Sequence, residues 1–502
     1  MRRGSAWTVI VFGVVAVTGL IDLPQPLEGD QSLFLVGAKE MAHGAVLYRD
    51  FWDLKQPGIF DFYYVAGVVG GFTSLSVHVL ELVYLLAFAA VLWYALSRWT
   101  TLRAAAPVAP LFAVALYYVV SSSAEQVQVE ALAGFPIFLA TWLACEGTRR
   151  SGASRYATFA AAGVAAGCAM LLKFVFAPLL IAIFLTAIAS PVLTYRRKLG
   201  DALLASVVSA LGAGIPVGLT LAGLARGGAL ESALDTWFVV PPRIIATLPV
   251  QQISVLIESL SWFARTYGMA IVLAMAGIVS LFRSRADALS RCLFVWLIGG
   301  LATILAQRTS WWQYQWLLES VPLGIFAAAG LVALVRVPRK AASIGTLVLA
   351  ALCAAIPVRI EVRKLAVLMK DGFALSSASR ERFRQDVSAV YAGTSADAAL
   401  LPAAAASHQN DLYVMGNPTY YVVTGRVQPL VLNGWAMELL LPSQRMELLR
   451  ELKTTPPRYV YKSRDDAGPD IMMTRSPAFK AYFERSYRVI AHGAFGMLYE
   501  FR

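Results

Sequence analysis

Residues 76–96 read SVHVLELVYLLAFAAVLWYAL, a run in which only His78 and Glu81 ionise. As a helix it would rise about 30 Å at 1.5 Å per residue, which matches the hydrocarbon core of a bilayer. Similar runs recur near 6–23, 105–121, 129–146, 156–172, 174–194, 202–224, 267–282, 290–306, 317–335 and 342–358. The stretch 58–72 is apolar too, but it is short and carries Asp61, so it reads as an interfacial or re-entrant helix. Composition agrees: of 502 residues, 58% are hydrophobic and 15% charged, with a mean hydropathy of +0.62. A soluble domain averages roughly 45–50% apolar and about 25% charged residues. The expectation is an α-helical polytopic membrane protein of about eleven transmembrane helices, covering 1–358, followed by a small α/β domain at 359–502.

Charge placement orients this map, because cytoplasmic loops collect Lys and Arg. With the N-terminus inside, the inner segments hold Arg2, Arg3, Arg98, Arg103, Arg149, Arg150, Arg155, Arg196, Arg197, Lys198, Arg283, Arg285, Arg291, Arg336, Arg339 and Lys340. The longer outer segments before the last span hold half as many: Lys39, Arg49, Lys55, Lys173, Arg226, Arg243, Arg265 and Arg308. The N-terminus is therefore expected in the cytoplasm and the C-terminal domain on the periplasmic or extracellular side. No Ala-x-Ala-like site follows the first span, so it reads as a retained helix rather than a signal peptide.

Inside-facing arginines at lipid head groups account for much of the net charge of +12, and no nucleic-acid partner is needed. Cys145, Cys168, Cys292 and Cys353 all fall in expected spans, so the tail has no disulfide framework. Arg and Ala far outnumber Lys and Asn, a bias of GC-rich bacterial genomes, which places the chain in a bacterial plasma (inner) membrane.

Two outer segments are long, 24–75 and 225–266, and long loops on one face of a bundle usually carry binding or catalysis. Residues 29–64 read GDQSLFLVGAKEMAHGAVLYRDFWDLKQPGIFDFYY. Positions 31–42 have helical character, and Gly44 ends that helix because it tolerates a positive φ. Tyr48, Asp50, Phe51, Trp52, Asp53 and Lys55 then crowd together before Pro57 and Gly58. Carboxylates and an ammonium among aromatics at a membrane surface suit an amphiphilic substrate with an anionic group.

This segment resembles the first outer loop of the GT-C membrane glycosyltransferases, in particular the branch that uses polyprenyl-phosphate sugars. Protein O-mannosyltransferases and the transferases that add aminoarabinose or other sugars to lipid A belong to that branch. The family pattern is an acidic pair after the first span, a helix, Gly, a Tyr–Asp step, an acid and Lys-Pro-Pro. Asp30-Gln31, Gly44, Tyr48, Asp50, Asp53 and Lys55-Gln56-Pro57 stand at those positions. Gln31 replaces the second acid and Gln56 the first proline. The helix GVAAGCAMLLKF ending near Lys173 and the stretch RTSWWQYQWLLESVP at 308–322 resemble other parts of the family more weakly.

The resemblance implies transfer of a sugar from a polyprenyl-phosphate donor to a lipid, glycan or protein acceptor at the outer face. Such a reaction needs a carboxylate for the acceptor proton and cations for the departing phosphate. Asp30 is the candidate catalytic base and Lys55 the candidate phosphate ligand, with Arg243 and Arg308 as helpers. Tyr48 and Tyr314 are candidates to hydrogen-bond phosphate or sugar, and Asp53 to orient Lys55 or bind sugar hydroxyls. The family leaves room for a divalent metal, but Gln31 removes one of its two carboxylates.

Each residue has a plainer reading. Asp30 suits an N-cap of the helix at 31–42, and Lys55 a membrane-edge lysine reaching the head groups. Trp311, Trp312, Tyr314 and Trp316 suit an aromatic belt. His78 and Glu81 share a helical face, and Glu125, Gln126, Gln128 and Glu130 open a span from outside, either lining a cavity or simply solvated.

The tail alternates elements: a helix at 378–391, strand 411–415, helix 443–453, strand 458–462, helix 477–484 and strands 486–491 and 496–501. It carries no Gly-rich phosphate loop or nucleophile elbow, and His408 and His492 are isolated, so it reads as a lid or an acceptor-recognition domain. The rival readings are a transporter or flippase, which an absence of internal repeats disfavours, and a non-catalytic protein that binds the carrier lipid.

Overall fold

The computed structural model describes residues 2–195, 199–284, 286–336, 341–402 and 411–502. Arg196, Arg197, Lys198, Arg285, Arg339, Lys340 and His408 lie outside the described residues. Among the described residues seven helices are long and apolar enough to cross a membrane: Ser74–Ser97, Val129–Arg149, Gly152–Leu172, Leu199–Arg226, Ala288–Ala306, Gln313–Arg336 and Ala341–Lys370. The pair Ile253–Thr266 and Gly268–Arg283, bent by 77°, makes an eighth if it counts as one span. The expected spans at 6–23 and 174–194 fall on helices Arg2–Asp22 and Ala177–Tyr195, and the one at 105–121 on the shorter Leu111–Val120. Prolines explain one shortfall: Pro107 and Pro110 lack donors for a continuing ladder, and 100–108 forms turns instead of helix.

The chain divides into two compact units, residues 1–23, 79–220 and 250–366, and residues 24–78, 221–249 and 367–502. Residues 367–502 fall in one unit with 24–78 and 221–249.

In the first unit burial varies widely between helices. Gln313–Arg336 is 78% buried, whereas Leu199–Arg226 is 17% and Ala341–Lys370 is 11% buried. Leu203, Leu211, Leu219, Ile344 and Leu352 are exposed along the last two. Apolar faces of that size are stable against lipid, not water. Elsewhere backbones touch directly: a Cβ at Gly330 would overlap the carbonyl oxygen of Leu273, and one at Gly277 that of Phe326. Glycine at these crossings gives the close helix approach typical of membrane packing.

Several buried charges in this unit are paired. Lys364 Nζ lies 3.0 Å from Asp22 Oδ2 and donates to the Tyr118 carbonyl at 2.6 Å. Gln126 Nε2 donates to the same Asp22 oxygen at 2.5 Å. Lys173 Nζ reaches Glu130 Oε1 at 2.7 Å and Gln307 Oε1 at 2.6 Å. Glu81 accepts from the Tyr117 hydroxyl at 2.5 Å and from Val127 N at 3.1 Å. Glu125, Gln126, Gln128 and Glu130 are all buried rather than solvated.

The second unit contains a four-stranded sheet of β1 (Leu412–Met415), β2 (Tyr459–Ser463), β3 (Tyr487–His492) and β4 (Gly496–Phe501), in the order β1-β2-β4-β3. β1 and β2 run parallel, with Leu412 opposite Tyr459, and the other pairs are antiparallel. Helix Pro442–Thr454 lies between β1 and β2 in sequence, the connection a parallel pair needs. Tyr413, Met415, Leu448, Leu452, Val460, Phe479 and Phe483 form its core. The expected tail helix at 378–391 is two helices, Ser377–Val387 and Ala389–Ala398, because Ser388 leaves helical geometry and caps the second through Tyr391 N.

Breaking a buried ion pair strands its partner. Lys364→Met is expected to destabilise the protein by about 3–5 kcal/mol, read as a lowered melting temperature in detergent. Adding Asp22→Leu should restore most of the loss.

Candidate functional site

Asp30 is the first residue of helix Asp30–Ala42. The N-cap is Gly29, at φ 51°, and no side-chain cap bond is made there. Gln31 supplies local order instead, its Oε1 accepting from Glu28 N at 3.1 Å. The Asp30 carboxylate is turned to other partners. Its Oδ2 accepts from Lys55 Nζ at 3.0 Å, and its Oδ1 from the Trp435 indole Nε1 at 2.6 Å. The side chains of Lys55 and Asp30 keep 21% and 12% of their surface exposed, so the pair is shielded but reachable.

Short-range bonds place Lys55. Asp53 Oδ1 accepts from Lys55 N at 2.7 Å, the two-residue side-chain turn that Asp favours. The Tyr48 hydroxyl donates to the Lys55 carbonyl at 2.7 Å and accepts from Trp237 Nε1 at 2.8 Å. Tyr48 is buried and sits at φ 72°, a conformation bulky residues adopt only where surroundings enforce it. Its hydroxyl, expected to meet phosphate or sugar, is thus engaged beneath Lys55 as a brace. The ammonium also stands 5.6 Å from the centroid of the Phe34 ring. Asp50 serves the turn itself, accepting from Val46 N at 2.8 Å and from the Arg49 guanidinium. Pro57, at the start of helix Pro57–Gly70, closes the segment.

A strap from the tail completes the site. Trp52 N donates to the Val431 carbonyl at 2.9 Å. Asn433 Nδ2 donates to Trp52 O at 2.7 Å and to Asp53 Oδ2 at 3.4 Å. Burial raises Asp53 to about 6, a rise only partly offset by the Lys55 charge and backbone N–H. Glu438, further along the strap, is raised by burial to about 7. The sequence reading found none of Asn433, Trp435 or Glu438. The signal available was the turn Asn433-Gly434-Trp435 interrupting an apolar stretch, which marks a turn but names no partner.

Arg243 is exposed on helix Val240–Thr247, and among the described residues no hydrogen bond or ion pair joins its guanidinium to Asp30 or Lys55. Arg308 and Tyr314 belong to the first unit. The Arg308 carbonyl accepts from Gln251 N at 2.8 Å, and Tyr314 is half-buried in the turn Gln313–Glu319. Trp316 Nε1 donates to Ser259 Oγ at 3.1 Å, so this aromatic is tied to its neighbours, while Trp312 is exposed. Among the described residues no three His, Cys, Asp or Glu side chains are grouped to hold a metal ion, and with Gln31 bonded locally the site does not fit one.

No family model and no curated protein matches the sequence. Solved structures do. ArnT from Cupriavidus metallidurans bound to undecaprenyl phosphate superposes with a TM-score of 0.62 over 99% of this chain and 98% of that chain, at 14% identity. The same protein in the apo state gives 0.58 with equal coverage and identity. The chain therefore shares the fold of ArnT, a polytopic membrane fold.

Asp53 yields a test. Its folded form holds a proton more tightly than an ordinary aspartate near 3.8, so its contribution to stability is greatest below that pH and is lost as pH rises through about 6. Asp53→Asn, which keeps the acceptor for Lys55 N, should raise the melting temperature relative to wild type more at pH 8 than at pH 4.

Proposed function

We propose that this protein is a glycosyltransferase that moves a sugar from a polyprenyl-phosphate donor to an acceptor hydroxyl on the outer face of a bacterial plasma membrane. The observation that carries the reading is the pair of Lys55 Nζ and Asp30 Oδ2 at 3.0 Å, half-shielded in a loop of the family's pattern. The shared fold supports it, since ArnT has been captured with undecaprenyl phosphate. The distribution of Arg and Lys supports a cytoplasmic N-terminus and an exported tail.

In this reading the acceptor oxygen attacks the anomeric carbon of the donor sugar while the carbon–oxygen bond to phosphate breaks. The proton of the acceptor hydroxyl goes to Asp30, and the bonding pair leaves with the phosphate. Lys55 neutralises the charge that builds there. The ammonium also donates to Asp30 Oδ2 at 3.0 Å. A phosphate headgroup competes for it, and once Lys55 turns to the phosphate, Asp30 Oδ2 is released to accept a proton. Donor binding and activation of the base are thereby coupled. Asp53 and Tyr48 act on Lys55 through its backbone, while Arg243, Arg308 and Tyr314 are proposed as further ligands of the carrier phosphate or sugar. Residues 359–502 are proposed as the part that recognises a lipid, glycan or protein acceptor.

A panel of radiolabelled polyprenyl-phosphate sugars, offered to purified protein with crude envelope acceptors, tests the proposal. One donor should be consumed, and Asp30→Asn should lower kcat by about 10²–10⁴, the usual loss for a general base, with donor affinity retained. Carrier binding without transfer from any donor would return the protein to the non-catalytic reading.

A further inference from the structure

We infer that Trp435 is a positioning residue for Asp30, its indole N–H holding one carboxylate oxygen so that the other faces the reacting groups. The inference rests on the glycosyltransferase reading for its effect on rate, and on geometry alone for its effect on Asp30. The Nε1–Oδ1 distance of 2.6 Å is at the short end for a hydrogen bond to a carboxylate, and the indole takes the oxygen that Lys55 leaves.

The strap is built to present this one side chain. Gly434 packs so closely that a Cβ there would overlap the carbonyl oxygen of Val414, and its own carbonyl accepts from Gly416 N at 2.7 Å. Trp435 N donates to Asn433 Oδ1 at 3.0 Å, and Asn433 Nδ2 anchors to the Trp52 carbonyl at 2.7 Å. The next residue, Ala436, is held at φ 54°, a left-handed conformation alanine rarely takes. On the opposite side Gly29, at φ 51°, leaves room for the ring, since a Cβ there would lie 3.1 Å from Trp435 Cζ2. Unusual backbone on both sides of one hydrogen bond points to the bond as what the strain maintains.

The chemistry gives that bond a purpose. When Lys55 leaves for a phosphate, Asp30 loses its cation while two acids, Asp53 and Glu438, still bear on the site. A donor to the ionised carboxylate favours that form. A neutral N–H does so without competing for the phosphate, which an Arg or Lys at 435 would do.

The test is Trp435→Phe in the full-length protein, with 3-benzothienylalanine introduced at 435 as a second variant that removes only the N–H. In either, kcat should fall by about tenfold, the typical loss for one hydrogen bond to a charged group. Donor KM should hold, and the acid limb of the pH–rate profile should move to higher pH. In ligand-free protein the Asp30 carboxyl stretch, identified by its loss in Asp30→Asn, should titrate at higher pH in infrared difference spectra. An unchanged pH profile and an unchanged infrared titration would overturn the assignment while leaving the transfer activity standing. A wild-type protein that transfers no sugar, yet shows the infrared shift on substitution, would instead refute the function and keep the positioning.

Discussion

A partly exposed ammonium and carboxylate placed 3.0 Å apart form an unstable arrangement unless the protein fixes both, since each would otherwise take water or another ion. Much of the local structure around residues 29–64 answers that demand. Gly29 sets the entry angle that aims Asp30, Asp53 and Tyr48 hold the Lys55 backbone from two directions, and Trp237 holds Tyr48. The strap carrying Asn433 and Trp435 fastens the carboxylate side of the same pair.

Comparison with two buried lysine pairs of the chain shows how this one differs from them. Lys364–Asp22 leaves 9% and 1% of its side-chain surface exposed, and Lys173–Glu130 leaves 17% and 1%. Their carboxylates are sealed, and each pair carries a further buried polar bond, to the Tyr118 carbonyl or Gln307. Such groups hold helices together in a low-dielectric interior, where separating them is costly. At Lys55–Asp30 both partners keep exposed surface, which is what a pair needs if a ligand is to separate it. The same chemistry thus supports structure where it is closed and is proposed to support catalysis where it is open.

The membrane class was legible because span length and apolar composition are local properties, and the first loop was legible because its residues lie within a few dozen positions of each other. Strands 411–415, 458–462, 486–491 and 496–501 were found to within a residue or so, since alternation and turn residues bracket them. What failed to show was long-range. Trp435 lies 405 residues from Asp30, and no local pattern links them. The engagement of the Tyr48 hydroxyl also depends on distant Trp237, and the N-cap reading of Asp30 gave way because Gly29 takes that place. The expected span at 105–121 proved a short helix, because hydropathy over a window does not register where prolines and turns interrupt the helix.

The central claim is that Lys55 exchanges Asp30 for the phosphate of a polyprenyl carrier. A cryo-electron microscopy structure of the full-length protein with undecaprenyl phosphate measures that directly. The account predicts phosphate density within hydrogen-bonding distance of Lys55 Nζ, with Asp30 Oδ2 released from it and Oδ1 still on Trp435. Carrier phosphate bound away from Lys55, with the Lys55–Asp30 pair intact, would contradict it.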